Sequence, residues 1–398
     1  MLFDFDKIVD RSGSNDIKHV ALEKEFGQSN LIPLWVADME FETPQFITEA
    51  LRKRLDHSLF GYTAVPKDYW QCIIKWVNDH HQWLMREEWL TYIPGIVKGI
   101  GFVVNVFTQP GDKVMILSPV YHPFRLVPVG NRREVVQVPL TDEYALDFDA
   151  LDSHYDEHCK VLILSNPHNP VGICWDRDTL VRLAHWAKER GVIVISDEIH
   201  CDMALFGHKH IPFASVSEEA EQNSITFSAP SKTFNIAGIV SSWAVVPNDT
   251  LRHKFYGWLE ANEMAAPHLF APIATMAAFE HGEEWRQQML RYVEDNILFV
   301  EDYCKANIPE ICPVRPQASF LVWLDCRELC HKLQFVTPDG EIDQQQLVAF
   351  FIKAGLALND GSIFGRQGRG FMRLNVGEPR AMLAQAFAQL KSAIDNRE

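Results

Sequence analysis

The stretch of residues 160–200, KVLILSNPHNPVGICWDRDTLVRLAHWAKERGVIVISDEIH, decides the fold class. It opens on KVLIL (160–164) and stops at Ser165-Asn166-Pro167. It closes on GVIVI (191–195) and stops at Ser196-Asp197. Short runs rich in Val and Ile, bounded by turn residues, are the pattern of parallel strands covered on both faces. Between them, residues 176–190 carry Leu180, Leu183, Ala184 and Ala187 at i, i+3, i+4, i+7, the apolar stripe of a helix. Asp176 suits its N-cap, and Gly191 suits the left-handed position beyond its end. The stretch therefore predicts a β-α-β unit with a right-handed crossover.

Working outward, KVMIL (113–117) repeats the strand pattern, and residues 225–227 form another short run before Ser228. Residues 283–306 predict a long amphipathic helix. Beyond it, SFLVWL (319–324) and GFMRLNV (370–376) are strand-like, with helical patterns at 344–354 and 379–394. The expected architecture is a large α/β domain built on parallel strands, ending near Glu283. A smaller α+β domain is expected to follow it. Length supports more than one domain, since 398 residues exceed the roughly 150 of a typical domain.

Composition narrows the function. The chain has 37 Lys+Arg against 53 Asp+Glu, a net charge of −16, which argues against a nucleic-acid backbone binder. The opening MLFDFDKIVDR carries acids and no apolar run, so it does not read as a signal peptide. No charge-free stretch reaches membrane-span length, as 233–248 illustrates. The eight cysteines form no C-x-x-C pair. Scattered thiols fit a reducing, cytoplasmic setting.

In open α/β sheets, ligands bind beyond the carboxyl ends of the strands. The residues expected on that rim are Ser118 and Tyr121, Asn166 to Asn169, Asp197 to His200, and Ser228 to Lys232. Lys232 follows a strand among small polar residues, in SAPSKTFN (228–235). A lysine held in a dry site can lose its proton and form a Schiff base; taken alone it reads first as a solvated surface lysine. Asp197 ends an apolar strand, where an acid needs a partner: a helix N-cap, an ion pair, or a protonated pyridine nitrogen. Asn169 lies between two Asn-Pro steps, a stiff turn in either reading. GIVK (95–98) enters the apolar stretch 99–107, and a Gly turn at a helix start offers N–H groups to a phosphate. Arg373, inside GFMRLNV, suits a carboxylate clamp or an ordinary salt bridge.

Other chemistries fit less well. His154 and His158 are four apart, but Tyr155 stands where HExxH needs Glu, so they read as exposed helix histidines. His200, Cys201, Asp202, His208 and His210 match no tetrahedral spacing, so no metal is expected. Walker A and GxSxG motifs are absent from the sequence.

Taken in order, SNPHNPVG, DEIH, SAPSKTFN and a late-strand Arg resemble the fold-type I pyridoxal-phosphate enzymes of the aspartate aminotransferase superfamily. More narrowly, the chain is similar to the MalY/PatB-type cystathionine β-lyases, or C–S lyases. That likeness is carried by WVADMEF (35–41), FGYT (60–63), DEIHCD (197–202), SKTFNIAG (231–238) and FMRLN (371–375). The resemblance implies a large domain over residues 48–283 with a mixed, mostly parallel seven-stranded sheet, a small α+β domain from residues 1–47 and 284–398, and pyridoxal 5′-phosphate with Lys232 as its Schiff-base lysine. Asp197 would face the pyridine nitrogen, Asn169 the ring hydroxyl, and Tyr121 the ring face. The amides of Ile96 and Val97, with Ser228 and Ser231, would hold the phosphate, and His200 would lie against the cofactor. Tyr62 would reach the site of a neighbouring subunit, implying a homodimer with shared sites. Arg373, with Trp35, Asp38 and Tyr62, would bind the substrate.

Two positions depart from the aminotransferase pattern. His200 stands where Tyr is usual, and Val240 where Arg is usual. The implied reaction is α,β-elimination of cystathionine or a related S-substituted cysteine, giving a thiol, pyruvate and ammonia. The alternatives are an aminotransferase for aromatic or neutral amino acids, and a regulatory role through a protein partner.

Overall fold

The computed structural model describes residues 2–397. The chain forms two compact units. One comprises residues 43–169 and 173–287; the other comprises residues 2–42, 170–172 and 288–397. One division falls inside the long helix Glu283–Asn307.

The first unit is built on a seven-stranded sheet. Its order is Leu90–Ile93, Ser242–Val245, Ser224–Ser228, Ile193–Asp197, Cys159–Ser165, Lys113–Ser118, Glu134–Pro139. The last five strands are mutually parallel, and Ser242–Val245 runs antiparallel to both its neighbours. The alternation of side chains sorts the apolar runs onto two faces. Met115, Leu117, Leu162, Leu164 and Val194 pack with Leu180, Leu183 and Ala187 of helix Arg177–Glu189. Val114, Ile116, Val161, Ile163, Ile195 and Ile225 pack on the other face with Ile100, Val103 and Val104 of helix Ile96–Phe107. Each fully buried aliphatic side chain contributes roughly 1.5–3 kcal/mol, so both faces must be apolar and the strands read as unbroken runs.

The β-α-β expectation holds in detail. Asp176 caps helix Arg177–Glu189 by accepting from the Thr179 N–H, and Gly191 takes φ 65° beyond its end. Two local readings are corrected. The helix expected over 99–107 begins at Ile96, because Gly95 at φ 106° turns the chain one residue earlier. His154 ends helix Phe148–His154, but His158 lies beyond it, so the two do not share a helix.

The second unit holds a four-stranded antiparallel sheet, ordered Asn359–Asp360, Phe371–Asn375, Leu321–Asp325, Cys312–Val314. A parallel pair, Ile32–Pro33 with Leu356–Ala357, joins the N-terminal segment to the C-terminal region. Gly172 belongs to this unit. At φ 79°, a Cβ there would stand 2.5 Å from Pro316 Cβ and 2.7 Å from the Ala318 carbonyl oxygen, so only glycine fits. Among the described residues, no helix is long and apolar enough to cross a membrane.

Candidate active site

The carboxyl ends of three adjacent parallel strands set the rim of the first unit. Ser165 is registered against Asp197, and Asp197 against Phe227, one residue before Ser228. Parallel pairing thus brings Asn166 to Asn169, Asp197 to His200, and Ser228 to Lys232 to one edge of the sheet.

Asp197 is buried, and its Oδ1 accepts the Ile199 N–H at 3.1 Å. Burial pushes its carboxyl up to about 7; the Ile199 N–H and the nearby Lys232 cation oppose this, and Glu198 adds to it. A dry carboxylate of this kind is stabilised by a cation beside it. Glu198 spends its own oxygens elsewhere. Oε1 accepts from Ser196 Oγ and the Phe213 N–H, both at 2.8 Å, and Oε2 meets His210 Nε2 at 2.9 Å.

Asn169 is buried, and its loop is fixed from two sides. Its N–H donates to Ser165 Oγ at 3.1 Å, and its carbonyl accepts the Tyr121 N–H at 3.0 Å. His168 Nε2 donates to the Pro119 carbonyl at 2.7 Å. Burial lowers the His168 pKa to about 4, so the ring is neutral at ordinary pH. The turn carrying Tyr121 and the turn carrying Asn169 are therefore locked together.

Lys232 is half-buried in the turn that follows strand Ser224–Ser228. That turn is held by the Phe234 N–H on the Pro230 carbonyl and the Ile236 N–H on the Ser231 carbonyl, both at 3.0 Å. The Phe234 ring is fully buried between Trp76, Phe279 and Trp285. Ser231 is buried beside the lysine. The Ser228 hydroxyl lies 3.5 Å from Cys201 Sγ. His200 is buried, and its carbonyl accepts the Met203 N–H.

Helix Ile96–Phe107 begins with Ile96 and Val97 on Gly95, which has no side chain to cap the first amides. A helix start with uncapped N–H groups and a positive dipole end favours a phosphate. Gly99 lets this helix lie against the sheet: a Cβ there would be 2.7 Å from Ile93 Cδ1 and 3.1 Å from the Phe227 ring.

Among the described residues, no contact brings Tyr62 to this rim. It is fully exposed, beside exposed Leu59 and Phe60, in a segment without regular structure. Arg373, Trp35 and Asp38 belong to the second unit. Arg373 sits in strand Phe371–Asn375, and its NH2 donates to the Trp35 carbonyl at 3.1 Å and Asn359 Oδ1 at 2.6 Å.

Sequence reasoning missed His81, and it named Glu198 and Asp202 without the bonds that hold them. His81 Nε2 and Trp76 Nε1 bond Asp202 at 2.7 and 3.0 Å. His81, Cys201 and Asp202 could together offer three ligand atoms within 4.8 Å, but the Asp202 oxygens carry those hydrogen bonds. Burial also holds the Cys201 thiol far above its usual range.

With the geometry in place, the comparisons can be set beside it. The model of the family described as aminotransferase class I and II matches residues 29–390. The chain belongs to this family. It is 38% identical to cystathionine beta-lyase PatB of Bacillus subtilis, over 98% of this chain and 99% of that protein. It is 32% identical to protein MalY of Escherichia coli, over 99% of each. Among solved structures, cystalysin of Treponema denticola, which contains pyridoxal 5′-phosphate, superposes with TM-score 0.93 at 30% identity, covering all of both chains. A pyridoxal-phosphate-bound C–S lyase from Staphylococcus hominis superposes with TM-score 0.89 at 31% identity, covering 98% and 99% of the two chains.

The residues on the rim fit pyridoxal phosphate by their donor chemistry. A buried acid whose proton affinity is raised calls for a cation, and a protonated pyridine nitrogen is one. The glycine-capped helix start suits a phosphate, and Lys232 follows the adjacent strand.

Proposed function

We propose that this family member is a pyridoxal-phosphate-dependent C–S β-lyase, converting cystathionine or a related S-substituted cysteine to a thiol, pyruvate and ammonia. The observation that carries the reading is the full-length likeness to a cystathionine β-lyase, joined to the Lys232, Asp197 and Asn169 rim.

When bound, pyridoxal phosphate supplies an electron sink for negative charge developing at the substrate Cα. The chain's residues do the rest. Lys232 would tether the cofactor and, as a free amine, would take the substrate Cα proton as general base. Asp197 holds a proton at the pyridine nitrogen through charge pairing in a dry setting. Asn169 would hold the ring hydroxyl, and Tyr121 would hold the ring by its face. Ile96 and Val97 amides, with Ser228 and Ser231, take the phosphate. His200, which stands where aminotransferases usually carry Tyr, would help hold the cofactor. Arg373 binds the α-carboxylate, with Trp35 and Asp38 shaping the substrate side.

We further place the protein in the cytoplasm as a homodimer. Full exposure of Tyr62 next to exposed Leu55, Leu59 and Phe60 supports a partner subunit covering this segment. His200, where aminotransferases usually carry Tyr, favours the lyase over simple transamination, while Val240, where they usually carry Arg, leaves the phosphate to neutral donors. Release of pyruvate and thiol from cystathionine tests the reading. Amine transfer to a keto acid with no pyruvate would favour the aminotransferase instead.

A further inference from the structure

Lys18 lies in the four-residue helix Ile17–Val20, yet its side chain is wholly buried. Its Nζ donates to Glu378 Oε1 at 2.6 Å and to the Asp38 carbonyl at 3.4 Å, and stands 2.9 Å from Glu40 Oε1. Burial alone would lower its pKa, but the carboxylates of Glu378, Glu40 and Asp38 more than offset this, so the ammonium keeps its charge. Arg11 reinforces the cluster through Glu40 at 2.6 Å and Asp38 at 3.4 Å.

The segment gathered by this ammonium is the one that orients Arg373. Residues 373 and 375 share one face of strand Phe371–Asn375, and both reach the N-terminal segment. Arg373 NH2 donates to the Trp35 carbonyl, and Asn375 Nδ2 donates to the carbonyls of Val36 at 2.8 Å and Asp38 at 2.6 Å. The Trp35 indole N–H returns to the carbonyl of Lys18 itself at 3.0 Å. The Glu40 N–H donates to the Gly377 carbonyl at 2.8 Å. Gly377 is needed there, because a Cβ would stand 2.6 Å from Met39 Cγ. Lys18 thus grips residues 35 to 40 at both ends, through its carbonyl and through its ammonium.

We propose that Lys18 is a positioning residue for the substrate carboxylate: it seats the Trp35–Glu40 segment and thereby fixes the guanidinium of Arg373. The inference rests on the reading of Arg373 as the carboxylate-binding residue. A guanidinium clamps a carboxylate through two parallel hydrogen bonds whose strength depends on its orientation, so the seat of Arg373 matters for substrate binding as much as its charge.

The test uses the holoenzyme and four proteins: Lys18→Met with Glu378→Leu, Arg373→Ala, all three changes together, and wild type. Lys18→Met alone leaves buried acids unpaired and is expected to fold poorly. Removing Glu378 as well replaces the pair with apolar groups, a change that is often neutral. Thermal midpoint, cofactor affinity, kcat and KM for cystathionine are measured. Binding of an α-methyl amino acid, which has no α-proton to lose, is followed by cofactor absorbance. The double variant should fold and hold cofactor like wild type. Its KM and its dissociation constant for the α-methyl amino acid should rise about tenfold or more, with kcat changed by less than about threefold. In the Arg373→Ala background the same two changes should add less than about twofold, because one residue acts through the other. A folded double variant with wild-type KM, or fully multiplicative effects, overturns the inference. If Arg373→Ala itself leaves KM unchanged, the carboxylate reading falls and this inference with it. If Arg373→Ala raises KM while the folded double variant does not, the inference alone falls.

Discussion

Replacing Asp197 by Asn should strengthen the cofactor-free protein while weakening the holoenzyme. Burial raises the Asp197 carboxyl from 3.8 to about 7, a rise of roughly 3 units. At about 1.36 kcal/mol per unit, holding that charge costs the apoprotein up to about 4 kcal/mol. The sign follows from linkage. Between pH 4 and 7 the folded state binds more protons than the unfolded chain, so stability falls as pH rises through this window. Above pH 7 the whole penalty is present; below pH 4 it is gone. Asn keeps an oxygen for the Ile199 N–H and removes the charge. Urea unfolding of apoprotein at pH 8 and pH 4.5 measures the effect. The variant should be more stable than wild type at pH 8, by up to about 4 kcal/mol, with the gap shrinking to about 1 kcal/mol at pH 4.5. With cofactor added, the order should reverse, because the pyridine nitrogen loses its counter-charge. Equal stability of the two apoproteins at pH 8, with parallel pH profiles, would refute the reasoning.

Lys232→Ala should abolish elimination, by more than about a thousandfold, and let cofactor leave on gel filtration where wild type keeps it. Retention after borohydride treatment separates the tethered from the untethered cofactor. Gly95→Ala forces a residue with a Cβ to φ 106° and ψ 140°, at a cost of about 1–3 kcal/mol. Calorimetry should show that loss together with weaker phosphate binding, and an unchanged midpoint would contradict the strained turn. His168 should stay neutral from pH 8 down to near its lowered value of about 4. Ring NMR titration reads this directly, and a midpoint near 6.5 would place the ring in solvent.

The β-α-β unit was legible because local and global rules agree there. Strands buried on both faces must be apolar throughout, and the helix stripe, its Asp176 cap and Gly191 all mark the same boundaries. The rim was legible for a related reason: in a parallel sheet, whatever follows a strand lies at its carboxyl edge, so Asn169, Asp197 and Lys232 could be listed without coordinates. Lys18 was not legible. In the run DIKHVALEKEF (16–26) it looks like any solvated helix lysine, and its burial depends on Glu378, 360 positions away. The start of helix Ile96–Phe107 was read late because apolar periodicity alone does not register the φ of Gly95. Glu198 was seen only as a neighbour of Asp197; its bonds to His210 and Phe213 depend on how the following loop returns.

The central claim is tested most directly by incubating purified holoenzyme with cystathionine and measuring thiol, pyruvate and ammonia together. The expected result is equimolar release of all three, without any added keto acid and lost in Lys232→Ala. Full cofactor occupancy with no thiol or pyruvate from cystathionine or any other cysteine thioether would contradict it.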